Sequence, residues 1–489
     1  MSTLETNYYK NMIELVSKVD ETVAECIKNE LSNQRNRLKL IASENYCSPS
    51  VQAAMGNLLT DKYAEGFAYH RYYAGTENVD KIEEYACKLA CELFGAEHAY
   101  VQPHCGADAN MIAYWAILNA KVMTPKMENI KEVCPVKKSY NDLSRDEWDF
   151  IRDACHKQKL LGLDYSCGGH LTHGFRQNIS SQLFDVYSYG VDSNGYIDYD
   201  EVRNKALEVK PLVILTGYSA YPRKIDFKKF REIADEVGAV LMVDMAHFAG
   251  LVAGGVFTGV NNPVPYADIV TTTTHKTLRG PRGAMILCKK EFEDYVNKGC
   301  PMVLGGPLPH VMAAKAIALK EANSKAYQDY AHQVVKNAQA LAKALQNLGI
   351  HLQTNGTDNH LMLADITSYG LTGKQAEAAL FQAGVTTNAN ALPYDKNGAW
   401  YTSGLRLGTP ALTTLGMKES EMDEVAAIID MVLKGTKPGV TKDGKPAKLK
   451  IVMDESVKEA ASKRVKALLS KFVLYPELDL DFLKKEFVK

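Results

Sequence analysis

Three unbroken apolar, β-branched runs, at 212–216, 240–243 and 269–274, constrain this chain more than any other feature, because each one breaks off into polar residues. The runs are continuous rather than alternating, so they suit a largely parallel sheet covered on both faces. A helical stretch at 227–237, stopped by Gly238, separates the first two and makes the pattern β/α. In such sheets ligands sit beyond the carboxyl ends of the strands. Ser219, Asp244, His247 and Lys276 all fall at or just past such ends.

The third run ends at His275-Lys276, and Gly280-Pro281-Arg282-Gly283 turns the chain before a further apolar run at 284–288. His275, Arg279 and Arg282 are expected to add positive charge, favouring a neutral amine at Lys276 and drawing in an anion. A neutral, positioned lysine beside an anion site is what a Schiff base with a phosphorylated aldehyde requires. The plain alternative is a solvated lysine after a strand.

At 489 residues, with 46% hydrophobic and 24% charged content, the chain can build two or three domains and a large core. Its 57 basic and 58 acidic residues leave a net charge of -1, which argues against nucleic acid or an acidic membrane as partner. The stretch 1–18 is too polar for a signal peptide, and no apolar run reaches membrane-spanning length, so a cytoplasmic protein is expected. Ten cysteines are too few for a disulfide framework in so long a chain. Cys87 and Cys91 lack two further ligands for a metal, so the reading is free thiols and no metal site.

Taken in order, residues 1–50 form a helical arm without its own core, 51–325 a large domain, and 326–489 a smaller C-terminal domain. Ser48-Pro49 opens a helix. The stretch 60–76 gathers Tyr63, Glu65, Tyr69, His70, Arg71, Tyr72 and Tyr73 between glycines, a constellation suited to proton transfer, or else a surface loop of locally packed aromatics. A helix at 77–94 stops at Gly95. A short strand at 99–102 then runs through Cys105-Gly106-Ala107 into a helix at 108–118, an arrangement that presents backbone N–H groups to a phosphate. Residues 123–158 read as an irregular, charged insertion with a helix at its end, favoured as a surface ornament over a cover for the active site. The loop 168–174 carries His170, Leu171 and His173, where ordinary turn histidines are the alternative. Gly305-Gly306-Pro307 precedes a long helix at 310–326. Arg406, at the end of a short apolar stretch, suits bidentate binding of a carboxylate, although a structural salt bridge is the default. Residues 435–448 read as a linker or hairpin, followed by a helix at 455–472.

With these pieces placed, the chain resembles serine hydroxymethyltransferase, a pyridoxal-phosphate enzyme, from about residue 38 to 430 apart from the insertion. The resemblance rests on LIASENY, DKYAEG, RYYAGTENVD, VQPHCGADAN, GGHLTHG, VDMAHFAGLVA, TTTTHKTLRGPRG, GGPL, GTDNHL and SGLRLGTPA, which occur in the family's order. It implies an α/β architecture of fold type I, aspartate-aminotransferase-like, with a mostly parallel central sheet and a smaller C-terminal α/β domain. It implies that Lys276 carries the cofactor, that Asp244 pairs with the ring nitrogen, and that His170 stacks on the ring. His247, Ser219 and His275 would also touch the cofactor, as would Cys105, Gly106 and Ala107 at its phosphate, and Thr273 would help govern exchange at the lysine. Arg406 would bind the substrate carboxylate, with Ser43 and Leu171 in the substrate site. Glu65 would handle the substrate hydroxyl beside Tyr72 and Tyr73, and Asn390 would contact the pterin. Tyr63, Glu65, Tyr72 and Gly306 would come from a neighbouring subunit, so at least a homodimer is implied, with a tetramer left open.

The implied reaction converts serine and tetrahydrofolate reversibly to glycine, 5,10-methylenetetrahydrofolate and water. Folate-independent aldol cleavage and alanine racemisation are the rival activities within the same chemistry. A catalytically silent, RNA-binding relative is the rival from another class, opposed by the near-neutral charge. One departure bears on the cofactor. The family's hydroxyl-bearing phosphate loop is replaced by Cys105-Gly106-Ala107, and each lost hydrogen bond to the phosphate would cost about 1.5–3 kcal/mol, so looser binding is expected.

Overall fold

The computed structural model describes residues 3–133 and 139–486. Among these, residues 45–133, 139–332 and 358–360 form one compact unit, and residues 3–44, 333–357 and 361–486 the other. Residues 134–138 of the sequence-defined insertion and the last three residues of the chain lie outside the described residues.

The first unit is built on a seven-stranded sheet. In spatial order its strands are His98–Tyr100, Ala284–Cys288, Ile269–Thr273, Val240–Asp244, Val213–Gly217, Lys159–Leu163 and Asp185–Tyr189. Only Ala284–Cys288 runs against its neighbours; the pairs from Ile269–Thr273 outward are parallel. The runs at 213–217, 240–244, 269–273 and 284–288 are buried along their whole length, as continuous hydrophobicity requires of strands covered on both faces. One covering helix, Gly106–Leu118, is apolar nearly all round, and Ile112, Ala113 and Ile117 pack with Leu215, Met242 and Ile286.

Local signals set the boundaries. Ser48 accepts from the Val51 amide at the start of Pro49–Met55, and Asp226 caps Phe227–Val237. Glu77–Phe94 and Phe227–Val237 end at Gly95 and Gly238, both left-handed at φ 70° and 71°, where a side chain would be strained. Two expectations change. The helix read at 108–118 begins at Gly106, so Gly106 and Ala107 belong to its first turn. The start of the insertion is helical rather than irregular: Gly106–Leu118 continues through a π-turn at Asn119–Met123 into Thr124–Val133, and Arg145–His156 follows with Ile151 and Cys155 buried.

The second unit carries a four-stranded antiparallel sheet in the order His351–Leu352, Leu361–Asp365, Gly404–Gly408, Asn388–Asn390. Met362, Leu405 and Leu407 pack with Val425, Ile428 and Val432 of the helix Glu419–Lys434. Residues 3–44 pack within this unit. Leu38–Lys39 pairs with Val385–Thr386, Ile13 and Ala24 pack with Leu483, and the Arg35 guanidinium donates to the carbonyls of Leu474, Tyr475 and Leu478. The stretch 435–448 is the greater part of a hairpin, Thr436–Val440 with Pro446–Met453. Every cysteine among the described residues is free, and no helix among them is long and apolar enough to cross a membrane.

Candidate active site

In the first unit the strand ends converge on Asp244. The last residue of its strand, it is buried, and its carboxylate accepts from Asn110 Nδ2 at 2.9 Å and the Ala246 amide at 3.0 Å, with His173 Nε2 at 3.2 Å. Burial alone would favour the neutral acid, but the hydrogen bond and charge of His173, with His170 and Asn110, outweigh it and hold the carboxyl well below the usual carboxylate range. The carboxylate is therefore an anion in a dry place, available to a cationic or N–H-bearing partner.

Asn110 ties this group to its surroundings. Its amide also donates to Thr172 Oγ1 at 2.7 Å, and its carbonyl accepts from Thr271 Oγ1 at 2.6 Å. The Thr172 amide points at His170 Nδ1 (3.2 Å), and Thr172 Oγ1 lies 2.7 Å from the same nitrogen. Thr172 thereby links the His170 ring to Asn110 and, through it, to the Asp244 carboxylate. His170, His173 and Asp244 bring one ligand atom each within 4.8 Å of one another. With Asp244 already accepting from neighbours, that set is the hydrogen-bonded shell of a carboxylate rather than a metal-ligand set.

His247 is buried beside His360, Nδ1 to Nε2 at 3.2 Å, with the two rings stacked. Ser219 is fixed through its amide to the Gly168 carbonyl at 2.8 Å. Lys276 is half-buried in the turn after Ile269–Thr273. Its carbonyl accepts from Asn45 Nδ2 at 3.0 Å and from the amide of Arg279, which takes a left-handed φ of 62°. The expected cluster of cations needs correction. Burial, then the nearby Arg282 and Lys276 charges, push the His275 imidazole down to about 3, so it is neutral at physiological pH, while the Arg279 guanidinium lies over the Tyr330 ring at 4.7 Å.

The helix start at Cys105–Ala107 passes a test as a phosphate cradle. Cys105 is extended, and its thiol meets the Asp108 and Ala107 amides only as a weak sulfur acceptor, which leaves these donors at the positive helix end for a stronger one. Burial pushes its thiol up, which keeps it neutral toward an anion. At Gly106 a Cβ would meet Thr273 Cγ2 at 2.9 Å, so helix start and strand end touch. The donors, the ionised Asp244 and the lysine at its strand end match the chemistry of a phosphorylated pyridine aldehyde.

Glu65 lies in a different setting, just before a small hairpin, Gly66–Phe67 with His70–Arg71. Arg71 Nη1 donates to the carbonyls on either side of Glu65, those of Ala64 at 2.9 Å and Gly66 at 3.1 Å. Its other nitrogens bind Asp80 at 2.8 Å and Glu83. Desolvation works against this buried charge, but Glu83 and Asp80 outweigh it and hold the guanidinium protonated. Gln102 Nε2 also donates to the Gly66 carbonyl, and Cys300 Sγ accepts from the Gly66 amide and donates to the Gly305 carbonyl. Tyr63 packs edge-on against Tyr73 and lies within contact distance of Gly306, and the Glu65 charge pushes its phenol up. Tyr63, Tyr72 and Tyr73 remain exposed, as does Leu171.

In the second unit Arg406 is held in mid-strand, Nε to Asn388 Oδ1 at 3.1 Å, and Asn390 Nδ2 donates to the Ala391 carbonyl at 2.6 Å. Ser43 follows the segment that joins the Gly408 amide to the Leu40 carbonyl. Sequence reasoning did not single out Asn110, Thr172 and Asn45, and it left His173 as an alternative turn residue. All but Asn45 and Thr172 are buried polar groups whose partners are distant in sequence; Thr172, also buried, bonds both locally to His170 and remotely to Asn110.

A family model described as serine hydroxymethyltransferase matches residues 16–128 and 154–429, leaving out only part of the insertion between them. A serine hydroxymethyltransferase of Treponema pallidum is 56% identical over 482 residues, covering 98% of this chain and 83% of that protein. Relatives of the same name from Cutibacterium acnes, 55% identical over 474 residues, and Chlamydia muridarum, 51% over 464, cover 96% and 94% of this chain and 96% and 92% of their own lengths.

Proposed function

The chain belongs to the serine hydroxymethyltransferase family, and from that premise we propose how its own residues carry out the family's reaction, the reversible conversion of serine and tetrahydrofolate to glycine and 5,10-methylenetetrahydrofolate. It is a transferase of one-carbon metabolism. Pyridoxal phosphate, bound through Lys276, supplies an electron sink for the bonds at the substrate α-carbon.

The observation that carries this reading is the Asp244 carboxylate, kept anionic in a buried site at a strand end. It accepts the hydrogen of the ring nitrogen and keeps that nitrogen protonated, while His173 and Asn110 stop the carboxylate from turning away. His170 would stack on the ring, and His247, Ser219 and His275 would contact the cofactor. The first-turn amides from Cys105 to Ala107 take the phosphate, and Thr273, against Gly106, assists exchange at Lys276. Arg406 binds the substrate carboxylate, Ser43 and Leu171 are assigned to substrate binding, and Asn390 is assigned to the pterin. Glu65 moves the proton of the substrate hydroxyl, its backbone fixed by Arg71 and its surroundings completed by Tyr72 and Tyr73.

The exposure of Tyr63 and Tyr72 supports a homodimer in which these residues, with Glu65 and Gly306, serve the neighbouring subunit's site. A cytoplasmic location fits the bacterial relatives. The test is a spectral titration of cofactor-loaded protein with glycine, before and after tetrahydrofolate. A long-wavelength band that rises sharply only with folate is expected. A spectrum indifferent to folate would move the activity to folate-independent aldol cleavage or racemisation.

A further inference from the structure

Lys315 is a buried lysine for which the reaction has no use. It sits in the helix Pro309–Ala322 at 1% exposure, where its ammonium donates to three backbone carbonyls, Val101 at 2.5 Å, Pro103 at 2.9 Å and Ala284 at 2.8 Å. Three acceptors match the three ammonium hydrogens. Val101 and Pro103 form the lead-in to Cys105–Ala107, and Ala284 opens the strand paired with the one that ends before Lys276. The Ala284 amide returns a bond to the Pro103 carbonyl at 3.0 Å, so the lead-in is closed on both sides. Burial pushes the Lys315 amine down to about 7, opposed by Cys87 and Glu83 of the helix Glu77–Phe94 and by Asp108 of the helix that begins at Gly106. Contact is tight: a Cβ at Gly283 would fall 2.5 Å from Lys315 Cε.

We propose that Lys315 is a positioning residue for the cofactor's phosphate, setting the lead-in so that the helix start at Cys105–Ala107 meets the phosphate with its amides aligned. This rests on the reading of that helix start as the phosphate cradle. A lysine here fixes carbonyls from two strands at once, which a neutral side chain with fewer donors does not. Because Lys315 acts on the phosphate end, its loss should weaken the grip on the phosphate and leave the bond to Lys276 alone.

The experiment compares the affinity of the cofactor-free protein for pyridoxal phosphate with that for pyridoxal, by absorbance of the lysine-bound form, in the wild type, Lys315→Met and Gly283→Ala. In Lys315→Met the preference for the phosphorylated form should fall by about tenfold or more, with pyridoxal affinity nearly unchanged, as expected when charge-assisted bonds supporting an anion site are lost. Gly283→Ala keeps the charge but displaces the lysine stem, and should lower the same preference by a smaller factor; it decides the matter if Lys315→Met does not fold. Equal loss of both affinities, or an unchanged preference, overturns the proposal. A wild type with no preference for the phosphorylated form would instead overturn the cradle itself.

Discussion

Around Asp244, the side chains of Asn110, Thr172, His173 and Thr271 bond to the carboxylate or to one another, so several segments hold the floor of the site at once. Around Glu65 the weight falls on one guanidinium, because Arg71 alone reaches the carbonyls on both sides, while Gln102 and Cys300 touch only Gly66. The floor is redundant and the hairpin is not. A group that must hold one charge in one place gains from a redundant network. A group that must move a proton at the edge of the unit is served by a fixed backbone and a less crowded side chain.

This contrast predicts where damage shows. Arg71→Met would leave Asp80 and Glu83 buried without their cation, so unfolding in urea should show a loss of about 3–5 kcal/mol. Folate-dependent turnover should fall more than cofactor affinity does, because the floor is built from other residues. A stability loss below about 1 kcal/mol, or equal loss of turnover and affinity, would break the contrast.

A smaller effect is expected at the cradle. Cys105→Ser with Ala107→Ser places hydroxyl donors at a helix start now met only by a weakly accepting thiol. Each new bond to the phosphate is worth about 1.5–3 kcal/mol, so the dissociation constant for pyridoxal phosphate should drop by at least about tenfold. Global stability should rise by no more than about 1 kcal/mol, the value of a serine cap. If affinity stays fixed while stability rises, the hydroxyls cap the helix and do not reach the ligand.

The strand ends were legible because a polar residue closing an apolar run is a local signal, and Asp244 and Lys276 both carry it. Helix ends at Gly95 and Gly238 were equally plain, each requiring a left-handed residue. The start at Gly106 was read two residues late because Cys105 is not a recognised capping residue. Lys315 was passed over because a lysine in a helix ordinarily marks a solvated face, and only the fold reveals three carbonyls around it. Arg71 was noticed as part of a polar cluster, but its partners Asp80 and Glu83 lie in the next helix. Arg406 and Asn390 gained meaning chiefly from the family blocks that contain them, since a lone arginine or asparagine in a strand carries no specific signal.

The subtlest difference concerns His275, beside Lys276. Its folded-state pKa, about 3, lies below the ordinary histidine value, so between those values the unfolded chain binds a proton that the folded chain refuses. Stability from this residue is therefore present above pH ~6.5 and is lost as pH falls below it. Partial exposure softens the effect, and between pH 6.5 and 5 the loss should be on the order of 1 kcal/mol. His275→Gln, unable to take up a proton in either state, should flatten that limb in urea unfolding measured across the same range. Arg71→Met should bend the profile the other way: Glu83 and Asp80, buried without their cation, take up protons in the folded state, so the variant regains stability as pH falls.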